Sequence, residues 1–284
     1  MRIAVAGGKG GTGKTLVAVT LASLLSSRCE TALVDLDVEE PNDHLYFDMP
    51  LRCREEVYRI IPAINDAFCD QCGVCGDVCA YNALLVLSDR VLVFPELCRS
   101  CRGCMLLCPK GAVGEATQRI GSVEIRCDDG LTLYAGRLRI GERSVPELIR
   151  AVKTYVEHSQ EICICDAPAG TACAAVEAVR DADYGILVAE STPFGLHDLD
   201  LMVRTMRQLR RPFGVVVNKA VARDRSIQEY CIGQDIEILG ELPWREDIAR
   251  VSARGEIVTD VLPDTVPLFE RILGAVLKKE EVTA

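Results

Sequence analysis

Gly7-Gly8-Lys9-Gly10-Gly11-Thr12-Gly13-Lys14-Thr15 is the stretch that decides the fold. From Gly8 to Thr15 it reads G-x-x-x-x-G-K-[ST], directly after the apolar run Ile3-Ala4-Val5-Ala6. The Leu-, Val- and Ala-rich segment Thr15–Ser27 that follows suits a buried helix. That order predicts a strand, a phosphate-binding loop and a helix. The glycines let backbone N–H groups wrap phosphates, and the helix presents its positive end to them. Lys14 is placed to neutralise the outer phosphates of a nucleotide, and Thr15 to hold Mg²⁺. A glycine-rich turn without a ligand is the plain alternative, and the strand–loop–helix context weighs against it.

Outward from the loop, Thr31-Ala32-Leu33-Val34-Asp35 is a short apolar run ending in a carboxylate, as expected of a buried parallel strand. Later, Val123–Cys127 alternates, Asp128-Asp129-Gly130 offers a turn and Leu131–Tyr134 resumes, which predicts a hairpin. Ser144-Val145-Pro146-Glu147 is a capping-box pattern with proline in the first turn, so a helix is expected from there. Strands are predicted at Ile162–Asp166, Tyr184–Ala189, Phe213–Asn218 and Ile236–Gly240, with helical patterns between them. Strands separated by helices imply a mostly parallel sheet. The modestly amphipathic stretch Leu268–Leu277 predicts a last helix packed on that sheet.

Residues 50 to 118 break the rhythm. Cys69, Cys72, Cys75 and Cys79 read C-x2-C-x2-C-x3-C, and Cys98, Cys101, Cys104 and Cys108 repeat the spacing with Pro109 after the last. This is the bacterial ferredoxin signature for two [4Fe–4S] clusters, in which the fourth cysteine of each run serves the other cluster. Cys69, Cys72, Cys75 and Cys108 are therefore expected around one cluster, and Cys98, Cys101, Cys104 and Cys79 around the second. Structural zinc is the metallic alternative, since C-x2-C pairs also make zinc sites. Ala80 stands where a proline usually follows the fourth cysteine, which removes no ligand. Between the runs, Ala83–Leu87 and Val91–Phe94 flank Ser88-Asp89-Arg90 as a hairpin. The domains are accordingly drawn at 1–55, 56–118 and 119–284, with the middle segment a cluster-binding insert that needs little other core.

The form Lys9-Gly10-Gly11-Thr12-Gly13-Lys14-Thr15 resembles the deviant Walker A motif of the MinD/Mrp and nitrogenase iron protein superfamily. In that family the first lysine, here Lys9, reaches across a homodimer to the partner's nucleotide. The resemblance extends to Asp35-Leu36-Asp37, where Asp37 would place the attacking water and Asp35 would support Mg²⁺. It extends to Cys165-Asp166-Ala167-Pro168-Ala169-Gly170, with Asp166 as the metal-side carboxylate, and to Asn218-Lys219, whose asparagine would read adenine. Capping or loop solvation is the plain alternative for Asp35 and Asp37, and their place at a strand end weighs against it. The chain as a whole looks like the subgroup of MinD-like ATPases with an inserted ferredoxin domain. The implied fold is an α/β, mostly parallel P-loop NTPase carrying a small α+β ferredoxin-like two-cluster insert. The implied cofactors are ATP or ADP, Mg²⁺ and two [4Fe–4S] clusters.

The remaining cysteines are read as packing residues or exposed thiols: Cys29, Cys53, Cys127, Cys231, and Cys163 with Cys165 on one strand face. Cys173, seven residues after Asp166, resembles in position a cluster ligand of the nitrogenase iron protein, but a packing role is the expectation without a matching second ligand. His44, His158 and His197 form no ligand spacing.

A formal charge of −10 argues against an electrostatic grip on nucleic-acid phosphates. Fifteen cysteines, with Met1-Arg2 running straight into a strand, point to a reducing cytoplasm and to metal rather than disulfides. No apolar run reaches the roughly 20 residues that span a bilayer, and no stable membrane association is expected. The leading functional expectation is an ATPase whose nucleotide state controls electron transfer to a protein partner. A cluster carrier of the Mrp type and a redox-sensing positioning ATPase are the alternatives.

Overall fold

The computed structural model describes residues 1–156, 160–221 and 223–283, with side chains up to Lys279; His158 lies outside the described residues. The strands are β1 (Arg2–Ala6), β2 (Thr31–Asp35), β3 (Leu51–Ile64), β4 (Leu84–Val86), β5 (Val91–Val93), β6 (Val113–Asp128), β7 (Leu131–Leu138), β8 (Ile162–Asp166), β9 (Tyr184–Glu190), β10 (Phe213–Ala220) and β11 (Ile238–Pro243). The helices are α1 (Lys14–Ser26), α2 (Val74–Asp77), α3 (Gly103–Leu106), α4 (Val145–Tyr155), α5 (Cys173–Val179), α6 (Pro193–Gln208), α7 (Ser226–Gly233), α8 (Glu246–Ala253), α9 (Val258–Val261) and α10 (Val266–Thr283). Among the described residues no helix is long and apolar enough to cross a membrane.

Two compact units emerge. The first comprises Met1–Arg54, Val123–Arg137 and Ile149–Ala284. Its strands run in the order β11-β10-β9-β1-β8-β2-β7, and every neighbouring pair among them is parallel. This is an α/β P-loop NTPase fold with a mostly parallel sheet. The central strands β2 and β9 are buried along their whole length, so they read as continuous apolar runs rather than alternating ones. Helix α1 is apolar on nearly every side because it packs on β8, β2 and β1 and also against α9 and α10. Leu21, Leu25, Leu33, Ile164, Phe269 and Ile272 form the centre of that core.

Strand β11 begins two residues later than the sequence pattern predicts. The Ile236 N–H donates to the Cys231 carbonyl at 2.9 Å, so Ile236 closes the end of α7 instead of entering the sheet. Strands β3 and β6 are the larger departure. They are 14 and 16 residues long; β3 belongs to the first unit up to Arg54 and β6 from Val123, and the rest of each belongs to the second.

The second unit comprises Glu55–Ser122 together with Leu138–Leu148. Arg59 explains the added segment: its buried guanidinium pairs with Glu142 at 3.4 Å and donates to the Ser144 hydroxyl. The antiparallel β4–β5 hairpin and the short helices α2 and α3 complete the unit. Its small core is Cys75, Ala83, Leu84, Val91, Cys98, Cys104 and Val113, so thiols occupy positions where a larger domain would place aliphatic side chains.

Candidate functional site

The first unit gathers its polar residues at the carboxyl ends of parallel strands, where open α/β sheets bind ligands. The phosphate loop follows β1, Asp35 ends β2, Asp166 ends β8, Glu190 ends β9 and Asn218 lies near the end of β10. Gly13 must be glycine: its φ is +93°, and a Cβ there would lie 2.1 Å from Asn218 Nδ2. Gly8 is equally confined, since its Cβ would meet Asp198 Cβ at 2.4 Å, whereas Gly10 and Gly11 form the exposed tip.

Asn218 Nδ2 donates to the Thr12 carbonyl at 2.6 Å, and its Oδ1 accepts from the Lys219 N–H at 2.8 Å. The residue expected to read adenine thus fastens the end of β10 to the phosphate loop. Lys14 is buried and donates from Nζ to the Lys9 carbonyl at 3.1 Å. Burial lowers its pKa, while Asp166 and Asp37 work in the opposite direction. Lys9 pairs with Glu190 at 3.1 Å, and Lys219 pairs with the same carboxylate while reaching the Gly11 carbonyl at 2.8 Å. Burial would raise the Glu190 pKa, but Lys219 and Lys9 hold it below the usual carboxylate range. Glu190 was not legible as a site residue, because only the strand ladder brings it to Lys9.

Strands β2 and β8 pair in a register that sets Asp35 opposite Asp166. The Thr15 hydroxyl donates to Asp166 Oδ2 at 2.6 Å. Asp35 Oδ1 accepts from the Asp37 N–H at 3.1 Å, and its Oδ2 accepts from the N–H groups of Asn42 at 2.8 Å and Asp43 at 3.1 Å. Asp35 therefore shapes the loop from Leu36 to Asp43. Burial and the neighbouring Asp166 push its pKa up to about 8, against the three backbone donors. Burial likewise raises Asp166 to about 6, with Thr15 and Lys14 opposing. Asp37 is raised by burial and partly restored by Lys14. The oxygens of Thr15 and Asp166 are hard donors of the type a divalent cation such as Mg²⁺ takes.

Gly13, Lys14, Thr15, Asn218, Trp244 and Ile248 line a cleft of about 410 Å³, large enough for a small-molecule ligand. Trp244, from the loop after β11, is 62% exposed, and nothing in its local sequence singled it out.

In the second unit the eight cysteines sort crosswise into two cavities. Cys69, Cys72, Cys75 and Cys108 line one, and Cys98, Cys101, Cys104 and Cys79 line the other. The backbone repeats with the sequence. Gln71 and Ser100 both have positive φ, as do Gly73 and Arg102, and Asn82 and Gly111. These are equivalent positions of the two runs. Helices α2 and α3 each begin one residue before the third cysteine of their run. Left-handed residues in such turns direct successive N–H groups into an anion-binding concavity, a device used at Fe–S sites. The Ala83 N–H donates to Cys79 Sγ at 3.2 Å, the equivalent Ala112 N–H to Cys108 Sγ at 3.3 Å, and the Ser100 N–H to Cys98 Sγ at 3.4 Å. Such bonds stabilise thiolates.

Among the described residues no three His, Cys, Asp or Glu side chains converge on a single metal ion. A cubane asks for a wider arrangement, with each thiolate on its own iron, and the four-thiol cavities have the donor set for it. Neither cavity is lined by the other thiols: Cys163 and Cys165 lie 3.6 Å from each other on β8, and Cys173 is exposed at the start of α5.

Residues 3–258 match the family described as the CobQ/CobB/MinD/ParA nucleotide binding domain. Two similar proteins from Methanocaldococcus jannaschii are the uncharacterized proteins MJ0579 and MJ0578. The first is 30% identical over 258 residues, covering 90% of each chain. The second is 29% identical over 262 residues, covering 92% of this chain and 90% of its own. The septum site-determining protein MinD of Pyrococcus horikoshii, solved with Mg-ADP, aligns over 100% of this chain and 98% of its own with a TM-score of 0.61 and 18% identity. The Pyrococcus furiosus cell division ATPase MinD aligns over 98% of both chains with a TM-score of 0.59 and 18% identity. With the phosphate loop, the strand-end carboxylates and the sheet order in place, the chain belongs to the CobQ/CobB/MinD/ParA family of nucleotide-binding domains.

Proposed function

We propose that the chain is a cytoplasmic, Mg²⁺-dependent ATPase that acts as a homodimer and couples its nucleotide state to electron transfer through two [4Fe–4S] clusters held by the second unit. The observation that carries this reading is the crosswise sorting of the eight cysteines into two cavities with matching backbone turns. A single-ion zinc reading explains neither the crossing nor the repeated positive-φ positions.

At the nucleotide cleft, Gly8, Lys9, Gly10, Gly11, Thr12 and Gly13 supply backbone N–H groups to phosphate oxygens. Lys14 lies buried at the loop's centre and offsets the phosphate charge. Thr15 and Asp166 would hold Mg²⁺, which supplies charge neutralisation at the phosphates when bound. Asp37 lies in the loop shaped by Asp35 and orients the attacking water. Within one chain Lys9 is paired to Glu190, so reaching a partner's nucleotide requires that pair to open. The clusters would supply one-electron transfer, and the chain's part is to hold their thiolates and direct N–H groups at the sulfurs.

Anaerobically purified protein is expected to carry about eight iron atoms per chain and to hydrolyse ATP only with Mg²⁺. Protein without iron after anaerobic reconstitution would remove the redox half of the proposal. Protein with iron but no Mg²⁺-dependent hydrolysis would remove the other half.

A further inference from the structure

The two cysteine runs are alike in backbone but not in charge. Directly after the first cysteine of each run stand Asp70 and Arg99, and directly after the second stand Gly73 and Arg102. Two residues past the fourth stand Tyr81 and Lys110. Because the fourth cysteine of each run lines the other cavity, Asp70 and Lys110 share the cavity of Cys69, Cys72, Cys75 and Cys108, where they pair at 3.6 Å. Arg99 and Arg102 line the cavity of Cys98, Cys101, Cys104 and Cys79, with no acid in its wall among the described residues. Both arginines are exposed, and Arg102 also meets Glu115 at 3.2 Å, so water and salt screen them.

A third arginine on this side is not screened. Arg59, from β3, is only 5% exposed, and its Nη1 donates to the Cys98 carbonyl at 3.0 Å. Its Nη2 donates to the Pro95 carbonyl at 2.8 Å, and Nε and Nη2 both reach Gln118 Oε1, at 3.1 and 2.8 Å. In the first run the equivalent carbonyl, that of Cys69, accepts from the neutral Gln71 amide at 2.9 Å. The counter-ion of Arg59 is Glu142 at 3.4 Å, and Arg139 reaches the other oxygen of that carboxylate at 3.7 Å. Two guanidiniums thus share one carboxylate, which also accepts from the Ser144 hydroxyl at 2.9 Å. The network keeps a positive charge in excess beside Cys98. A cation held away from water favours the more negative state of a neighbouring group, and the charge around a cluster helps set its reduction potential.

We propose that Arg59 makes the cluster held by Cys98, Cys101, Cys104 and Cys79 the easier of the two to reduce. The inference rests on the proposed cluster sites and goes beyond them by giving the pair a direction. One electron passes from the first cluster, oxidised by one unit, to the second, reduced by one unit, with no bond made or broken. Arg59 acts through the Cys98 backbone and its own charge, as a positioning residue.

The test is a redox titration of the anaerobic full-length protein, read by low-temperature electron paramagnetic resonance. Wild type is expected to show two steps. The higher one should persist in Cys69→Ser with Cys108→Ser, which strikes only the first cavity. Arg59→Gln should lower that step by about tenfold in its reduction equilibrium, about 59 mV for one electron. Glu142→Gln should raise it, and Arg59→Lys should hold it within about threefold of wild type. Opposite signs from the two partners of one ion pair mark a charge effect, since loosened packing would move both the same way. A single common step, survival of the lower step in the cysteine variant, or shifts of one sign in Arg59→Gln and Glu142→Gln each overturn the proposal and leave the cluster sites standing. Should Arg59→Gln lose its iron, Glu142→Gln and the cysteine variant still decide the matter. Wild type that takes up no iron contradicts the underlying cluster reading instead.

Discussion

Lys14→Ala is expected to lower ATP hydrolysis by about 10²–10³-fold, the range found when one preorganised transition-state donor is removed. The ammonium is buried beside Asp166 and Asp37 and makes one bond in the protein, to the Lys9 carbonyl at 3.1 Å. Its loss therefore removes little that holds the fold together and takes away the one lysine ammonium that is buried at the phosphate loop. Steady-state phosphate release measures the effect, and equilibrium dialysis with ATP separates lost binding from lost chemistry. Hydrolysis within about threefold of wild type, a difference of well under 1 kcal/mol in barrier, would dismiss Lys14 from the chemistry.

The second large effect concerns the crossing of the cysteine runs. The double variant Cys69→Ser with Cys108→Ser strikes two thiols of a single cavity. Iron should fall from about eight to about four per chain, because one cluster survives. The variant Cys69→Ser with Cys79→Ser strikes one thiol in each cavity and should damage both clusters. If each run instead held its own cluster, the two results would exchange places. Iron analysis with low-temperature electron paramagnetic resonance of the reduced proteins distinguishes the two arrangements.

Much of this architecture is legible in the sequence because the informative residues are close together in the chain. The phosphate loop, the apolar runs of β1, β2, β8 and β9, and the two cysteine runs each announce themselves within a dozen residues. Strand β3 does not. Leu51–Ile64 carries Arg52, Arg54, Glu55, Glu56 and Arg59 and ends near Pro62, and most of its first half is exposed, so no period-two apolar pattern marks it. The inclusion of Leu138–Leu148 in the second unit depends on buried Arg59 meeting Glu142 and Ser144, a contact across some 80 positions that local pattern cannot register.

The site follows the same division. Lys14, Thr15, Asp35 and Asp166 are marked by motif. Glu190 acquires meaning only from distant partners, Lys9 and Lys219. Asn218, marked by resemblance alone, has its amide engaged with the Thr12 carbonyl and the Lys219 N–H, contacts that no local pattern could announce.

The claim at the centre of the account is that nucleotide and clusters report to one another, and such coupling must be reciprocal. The most direct measurement is an anaerobic redox titration of the full-length protein, alone and with Mg-ATP, repeated on Lys14→Ala. The account expects Mg-ATP to shift at least one cluster potential in wild type by about 30 mV or more, some 0.7 kcal/mol for a one-electron couple, and to leave Lys14→Ala unmoved. Superimposable titrations in all cases, from protein that binds ATP and carries both clusters, would contradict it.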